Sequence, residues 1–154
     1  MQKSRVKNRR QRGFTLIEIM VVVVILGILA AIAVPRIMSR PDTARITKAK
    51  QDIRVVENAL KLYRLDNFNY PSTDQGLEAL VRKPSGDPEA KNWNPDGYLD
   101  RLPKDPWGNP YQYLSPGVKN ENGVDIYTLG ADARPGGEGP NADIGNWNLE
   151  DQAQ

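Results

Sequence analysis

Phe14 to Val34 reads FTLIEIMVVVVILGILAAIAV, 21 residues carrying one charge, Glu18. As a helix this run is about 31 Å long, the thickness of a bilayer core. No polar stripe interrupts it, which argues against a surface helix of a soluble domain. Basic residues precede it: Lys3, Arg5, Lys7, Arg9, Arg10 and Arg12, with no acid before Gly13. The positive-inside rule then keeps the N-terminal end in the cytoplasm and sends residues 35–154 across the membrane. A cleavable secretory signal cut near Ala31-Ile32-Ala33 has the same outline. Against it stand Glu18 within the apolar stretch, Pro35 just past the cut, and a helical pattern that resumes soon after.

The whole chain has 154 residues, with 21 basic and 19 acidic side chains for a net charge of +2. Six of the basic residues lie in the first 13, so the remainder, with 15 basic and 19 acidic, sums to −4. An acidic body and a basic run without aromatic residues fit nucleic-acid binding poorly. With 39% apolar and 26% charged residues the chain is not of the disordered class. It contains no cysteine and no histidine. That excludes disulfides, thiolate and imidazole metal sites, cysteine nucleophiles and histidine acid–base chemistry. Glu18 must be paired, protonated or used, because hydrocarbon does not solvate a carboxylate. It either snorkels to the headgroups or meets a positive partner when helices assemble.

Beyond the apolar run, Pro35 and Pro41 are expected to kink or unwind the helix, with Asp42-Thr43 capping a fresh start. Ile46, Ala49, Ile53, Val56, Leu60 and Tyr63 then repeat at spacings of three and four, one apolar stripe running to about Asp66. The stripe is too short for a coiled coil, so it is expected to pack on the chain's own globular part. Ser72-Thr73-Asp74 followed by Gln75–Val81 reads as a short capped helix. Residues 84–145 hold nine prolines and ten glycines, which predicts a loop-rich region. Strands are expected at 111–114, 124–129 and 144–149. The fold class is α+β: a long apolar helix, an amphipathic helix, and a small antiparallel sheet.

Chemical motifs are few. No GxGxxG, Walker or GxSxG sequence occurs. In the glycine-rich stretch 130–143, Asp132, Glu138 and Asp143 suit either a solvated acidic loop or the oxygen cage of a hard cation. The spacing is not that of an EF-hand.

Gly13-Phe14-Thr15-Leu16-Ile17-Glu18, after its basic leader, resembles the class III signal of type IV pilins and their relatives. Three further segments, 63–80, 102–111 and 143–147, are similar to the major pseudopilins of type II secretion. The likeness covers about residues 13–149. It implies a leader, residues 1–13, removed between Gly13 and Phe14 by a prepilin peptidase that also N-methylates Phe14. It implies a transmembrane and filament-core helix at 14–34, with Glu18 serving assembly, and a periplasmic globular domain at 35–154. The implied chain is a non-enzymatic structural subunit, a single-pass inner-membrane protein with its N-terminus cytoplasmic. It would polymerise into a pseudopilus that pushes folded exoproteins through an outer-membrane channel. Its partners would be copies of itself, minor pseudopilins, the peptidase, the inner-membrane platform with its ATPase, and membrane lipid before assembly; nucleic acid is not among them. The resemblance also implies calcium, held by the side chains of Asp132 and Asp143 and by carbonyls of Leu129, Arg134, Gly139 and Pro140. A glycine commonly follows the first aspartate in that family; here it is Ala133. The other readings are a type IV pilin for adhesion, twitching or DNA uptake, and a signal-anchored periplasmic binding protein.

Overall fold

The computed structural model describes residues 14–38 and 40–150, without the side chains of residues 32–40. The leader, Gly13 included, lies outside the described residues. Helix α1 spans Leu16–Met38, so the apolar run continues through Pro35 rather than ending at Val34. Helix α2 spans Arg40–Asn67. It opens with Pro41 in its first turn, where the missing proline N–H is one that a helix leaves unpaired anyway. Asp42 is therefore not the expected cap; it lies inside the first turn and pairs with Arg45 at 3.2 Å. The chain forms two compact units, divided between Arg40 and Pro41.

The first unit contains α1. Its large apolar side chains from Phe14 to Leu29 are 48–79% exposed on every face of the helix. Among the described residues no helix is long and apolar enough to cross a membrane. The described side chains of α1 end at Ala31, and Leu16–Ala31 is about 24 Å long against about 30 Å of hydrocarbon.

The second unit is built on α2. Ala49, Ile53, Val56, Leu60 and Tyr63 are buried, as their spacing predicts, while Ile46 is only partly buried. They pack against Leu77, Leu80, Tyr111, Tyr113, Val124, Ile126 and Ile144 in one core. The three-stranded sheet has the order β1 (Gln112–Leu114), β2 (Asp125–Thr128), β3 (Ile144–Gly145), antiparallel throughout. Tyr113 faces Ile126, and Tyr127 faces Gly145.

Two elements differ from expectation. The helix after Ser72 is a 3-10 turn, Leu77–Leu80. Ser72 and Gln75 do exchange side-chain hydrogen bonds with each other's N–H, at 3.2 and 3.0 Å, but they cap a turn that precedes it. The third strand stops at Gly145 instead of reaching Leu149. Trp147 folds back so that a Cβ on Gly145 would lie 2.5 Å from its ring, and the Trp147 ring sits 5.6 Å from that of Tyr127. The Asn146 N–H still donates to Ile126 O at 3.0 Å, but its Oδ1 stands in for its carbonyl, accepting from Ile126 N–H at 3.2 Å and from Asn120 Nδ2 at 3.0 Å.

Candidate functional site

Two places carry the residues singled out by sequence. The first is the start of α1. Phe14 is 79% exposed. The Thr15 N–H donates to Glu18 Oε2 at 3.4 Å, and the Glu18 N–H donates to Thr15 Oγ1 at 3.3 Å. This is a reciprocal capping box, which satisfies donors that a helix start leaves open. Glu18 thus has an intrachain partner, and the negative charge sits where the helix dipole favours it. Thr15 is a contributor that the reading of charges missed. Its signal was present as the Thr-x-x-Glu spacing ahead of an apolar run.

The second place is the loop between β2 and β3. Its entry is held from below. Asp105, 4% exposed, accepts N–H groups of Trp107 at 3.0 Å and Asn109 at 2.7 Å. Its other oxygen accepts from Thr128 Oγ1 at 2.5 Å, and Thr128 Oγ1 in turn accepts from Gly130 N–H at 3.3 Å. At Gly130 the chain turns with φ +68°, and a Cβ there would strike the backbone of Pro140 and Asn141 at 2.8 Å. Only glycine fits such a crossing. The Ala131 N–H then donates to Pro140 O at 2.9 Å, closing the loop at its neck.

Within the loop, Asp132 Oδ1 accepts from Arg134 N–H at 3.2 Å, and Asp143 Oδ2 accepts from Gly136 N–H at 2.9 Å. Asp143 Oδ1 is buried and has no hydrogen-bond donor. Gly139 and Pro140 lie in a 3-10 turn, Gly139–Asn141, and each of their carbonyls accepts one backbone N–H. A carbonyl has a second lone pair, so both remain able to bind a cation. Among the described residues no three acidic side chains gather, so Glu138 does not join Asp132 and Asp143 in a cluster. The donor set is at most two carboxylates plus carbonyls, all hard oxygen. That set suits calcium, and an undonated buried carboxylate oxygen is what a cation would satisfy. Ala133 sits between these groups at φ +53°, the left-handed region that a glycine would occupy without cost.

Further buried groups brace the globular unit. Asp125, 1% exposed, accepts the N–H groups of Val118 and Lys119 at 2.7 Å and of Asn120 at 2.9 Å. Burial, ahead of the neighbouring Asp52 carboxylate, pushes the Tyr111 phenol well above its ordinary range. Burial also raises Tyr113 strongly, and it raises Tyr63 and Tyr98.

The second unit is a small α+β head, and known proteins resemble the chain. The family model described as Type II secretion system (T2SS), protein G, matches residues 36–147. The chain belongs to this family. A second model, the prokaryotic N-terminal methylation motif, matches residues 8–34. The chain is 66% identical over 141 residues to the type II secretion system core protein G of Pseudomonas aeruginosa, covering 92% of this chain and 98% of that protein. It is 60% identical to the core protein G of Vibrio cholerae, covering 94% and 97%. Its fold is similar to the crystal structure of the major pseudopilin of the type 2 secretion system of enterohaemorrhagic Escherichia coli. That match has a TM-score of 0.63 and 47% identity, over 72% of this chain and 93% of the other. Both the pilin-like α+β class and the protein G family read from the sequence are thereby borne out.

Proposed function

We propose that this chain is the major structural subunit of a periplasmic pseudopilus, anchored in the inner membrane before assembly by residues 14–34. The observation that carries the reading is the exposure of α1. Large apolar side chains uncovered on every face cannot stay in water, so they lie either in lipid or against other copies. Cleavage between Gly13 and Phe14 frees an amine about one turn from Glu18. In lipid Glu18 is held by Thr15; in the filament it pairs with a Phe14 amine, and N-methylation keeps that amine positive. A heterologous contact repeated between identical subunits builds an open helical fibre. Growth of that fibre on a membrane platform and its ATPase pushes exoproteins outward. The role is mechanical and requires no catalytic residue.

Asp132 and Asp143 would hold calcium with carbonyls of Leu129, Arg134, Gly139 and Pro140. The undonated Asp143 oxygen supports this. The ion would supply positive charge between two carboxylates on a glycine-rich backbone that no disulfide constrains.

The test is complementation of a strain lacking its own gene for this protein. The full chain should restore exoprotein secretion, and its mature form should have 141 residues beginning at N-methylated Phe14. Cleavage after Ala33, or processing with no recovery of secretion, overturns the reading. For calcium, a chelator should lower the melting temperature of the purified chain and open residues 130–143 to protease, with magnesium a poor substitute. Identical melting in calcium and in excess chelator rules the site out.

A further inference from the structure

Thr128 ends β2 and is 1% exposed. Valine has its shape and suits a strand as well, so packing alone does not call for a hydroxyl there. A buried hydroxyl needs partners, and this one joins two segments. Its proton goes to Asp105 Oδ2. Asp105 is a fixed anchor, because its Oδ1 accepts the N–H groups of Trp107 and Asn109. Its backbone closes the same turn, with Asp105 N–H donating to Asn109 O at 2.8 Å and Gly108 N–H to Asp105 O at 3.0 Å. With its proton on Asp105, the Thr128 oxygen accepts the Gly130 N–H at 3.3 Å. The Leu129–Gly130 peptide is trans and planar, so holding its N–H also fixes its carbonyl, which points away from the Thr128 hydroxyl.

Three of the groups proposed above to hold calcium lie around this peptide. Leu129 O belongs to it. Pro140 O lies across it, 2.8 Å from where a Cβ on Gly130 would stand. Asp143 precedes Ile144, the β3 residue paired with Thr128. We infer that Asp105 and Thr128 are positioning residues of the cation loop: the hydroxyl sets the Leu129–Gly130 peptide so that its carbonyl is presented to calcium. The inference rests on the calcium reading above and adds the groups that aim its ligands. Without the hydroxyl, the buried Gly130 N–H loses its acceptor, the peptide can turn, and Leu129 O turns with it. Partners that orient metal ligands commonly set 10–100-fold of the affinity. The reach of the effect is long in sequence, since Asp105 stands 23 residues before Thr128 and belongs to a turn that touches no proposed ligand.

The test is a calorimetric titration of the mature full chain in detergent with calcium chloride, well below its melting temperature in chelator. There the fold is populated in every variant, so a change of dissociation constant reports on the site and not on global stability. Thr128→Val keeps the shape and removes the hydroxyl, and should weaken calcium binding about tenfold or more. Thr128→Ser restores the hydroxyl and should bind within about threefold of the unsubstituted chain. Asp105→Asn keeps an acceptor for the two turn N–H groups but turns an amide donor toward Thr128. The Thr128 lone pair is then drawn to that amide and away from Gly130, so affinity should again fall about tenfold. If the unsubstituted chain binds calcium and Thr128→Val or Asp105→Asn binds it equally, this inference alone fails. A loss in Thr128→Ser as large as in Thr128→Val also overturns it, because the methyl and not the hydroxyl is then at work. Failure of both Thr128→Val and Asp105→Asn to fold, even in excess calcium, makes the pair a requirement of the fold alone and overturns it too. If the unsubstituted chain gives no binding heat and melts identically in calcium and chelator, the calcium reading fails and takes the inference with it.

Discussion

Ala133 offers the sharpest test of how the β2–β3 loop is built. Its φ of +53° places an L-residue in the left-handed region. Crowding of Cβ against the following carbonyl costs about 1–2 kcal/mol there. Ala133→Gly removes that cost. Glycine also frees the unfolded chain, which offsets about 0.4–1 kcal/mol of the gain. The net expectation is a stabilisation of about 0.5–1 kcal/mol, or about 2–4 °C for a unit of this size. The gain should appear in the global transition because the loop is tied to the core, by Ala131 N–H to Pro140 O at its neck and by buried Ile144 just beyond Asp143. Ala133→Val should destabilise, since a β-branched residue is least tolerant of positive φ. Ala131→Gly is the control: Ala131 is exposed, is not at positive φ, and should lose stability when replaced by glycine. The three tryptophans, Trp93, Trp107 and Trp147, all lie in the globular unit, so fluorescence melting of the full chain in detergent reports that unit alone. The reasoning is refuted if Ala133→Gly lowers the melting temperature as Ala131→Gly does.

Ile53→Ala and Leu60→Ala, both at fully buried positions, should each cost about 2–5 kcal/mol in urea unfolding, whereas Leu65→Ala on the exposed face should change stability by less than about 0.5 kcal/mol. Asp125→Ala removes an acceptor shared by three backbone N–H groups, so it should cost about 3 kcal/mol or more, and residues 117–123 should become the first site of proteolytic nicking. Above pH 10 the fold should weaken. Tyr63, Tyr98, Tyr111 and Tyr113 all have phenols raised above 10.0, so the unfolded chain releases protons that the folded chain retains. The unfolded state then binds fewer protons, and stability falls as pH rises, by about 1.4 kcal/mol per pH unit for each of Tyr111 and Tyr113, the two with the largest shifts. Tyr111→Phe should make the decline shallower between pH 10 and 11, and an unchanged slope would show that Tyr111 titrates as freely folded as unfolded.

Local periodicity carried much of this protein. The apolar run from Phe14 to Val34, the stripe from Ala49 to Tyr63 and the strand segments around Tyr113 and Ile126 were readable because helix and strand each impose a short repeat on which residues meet the core. The leader junction and the acidic loop were likewise legible as consecutive residues. Tertiary structure decided what no repeat encodes. Among 19 carboxylates of similar appearance in sequence, it buried Asp105 and Asp125 by turning loop N–H groups onto them, and it left Asp143 Oδ1 without a donor. It turned the chain out of the third strand just after Gly145 and laid the Trp147 ring in the space a Cβ there would occupy. It set Ala133 at positive φ because the loop neck, closed between Ala131 and Pro140, constrains the path between them. Each of these depends on groups distant along the chain meeting at hydrogen-bond or van der Waals range. Such meetings are fixed by the packed fold as a whole, whereas the helices and strands needed only their own pattern of apolar residues.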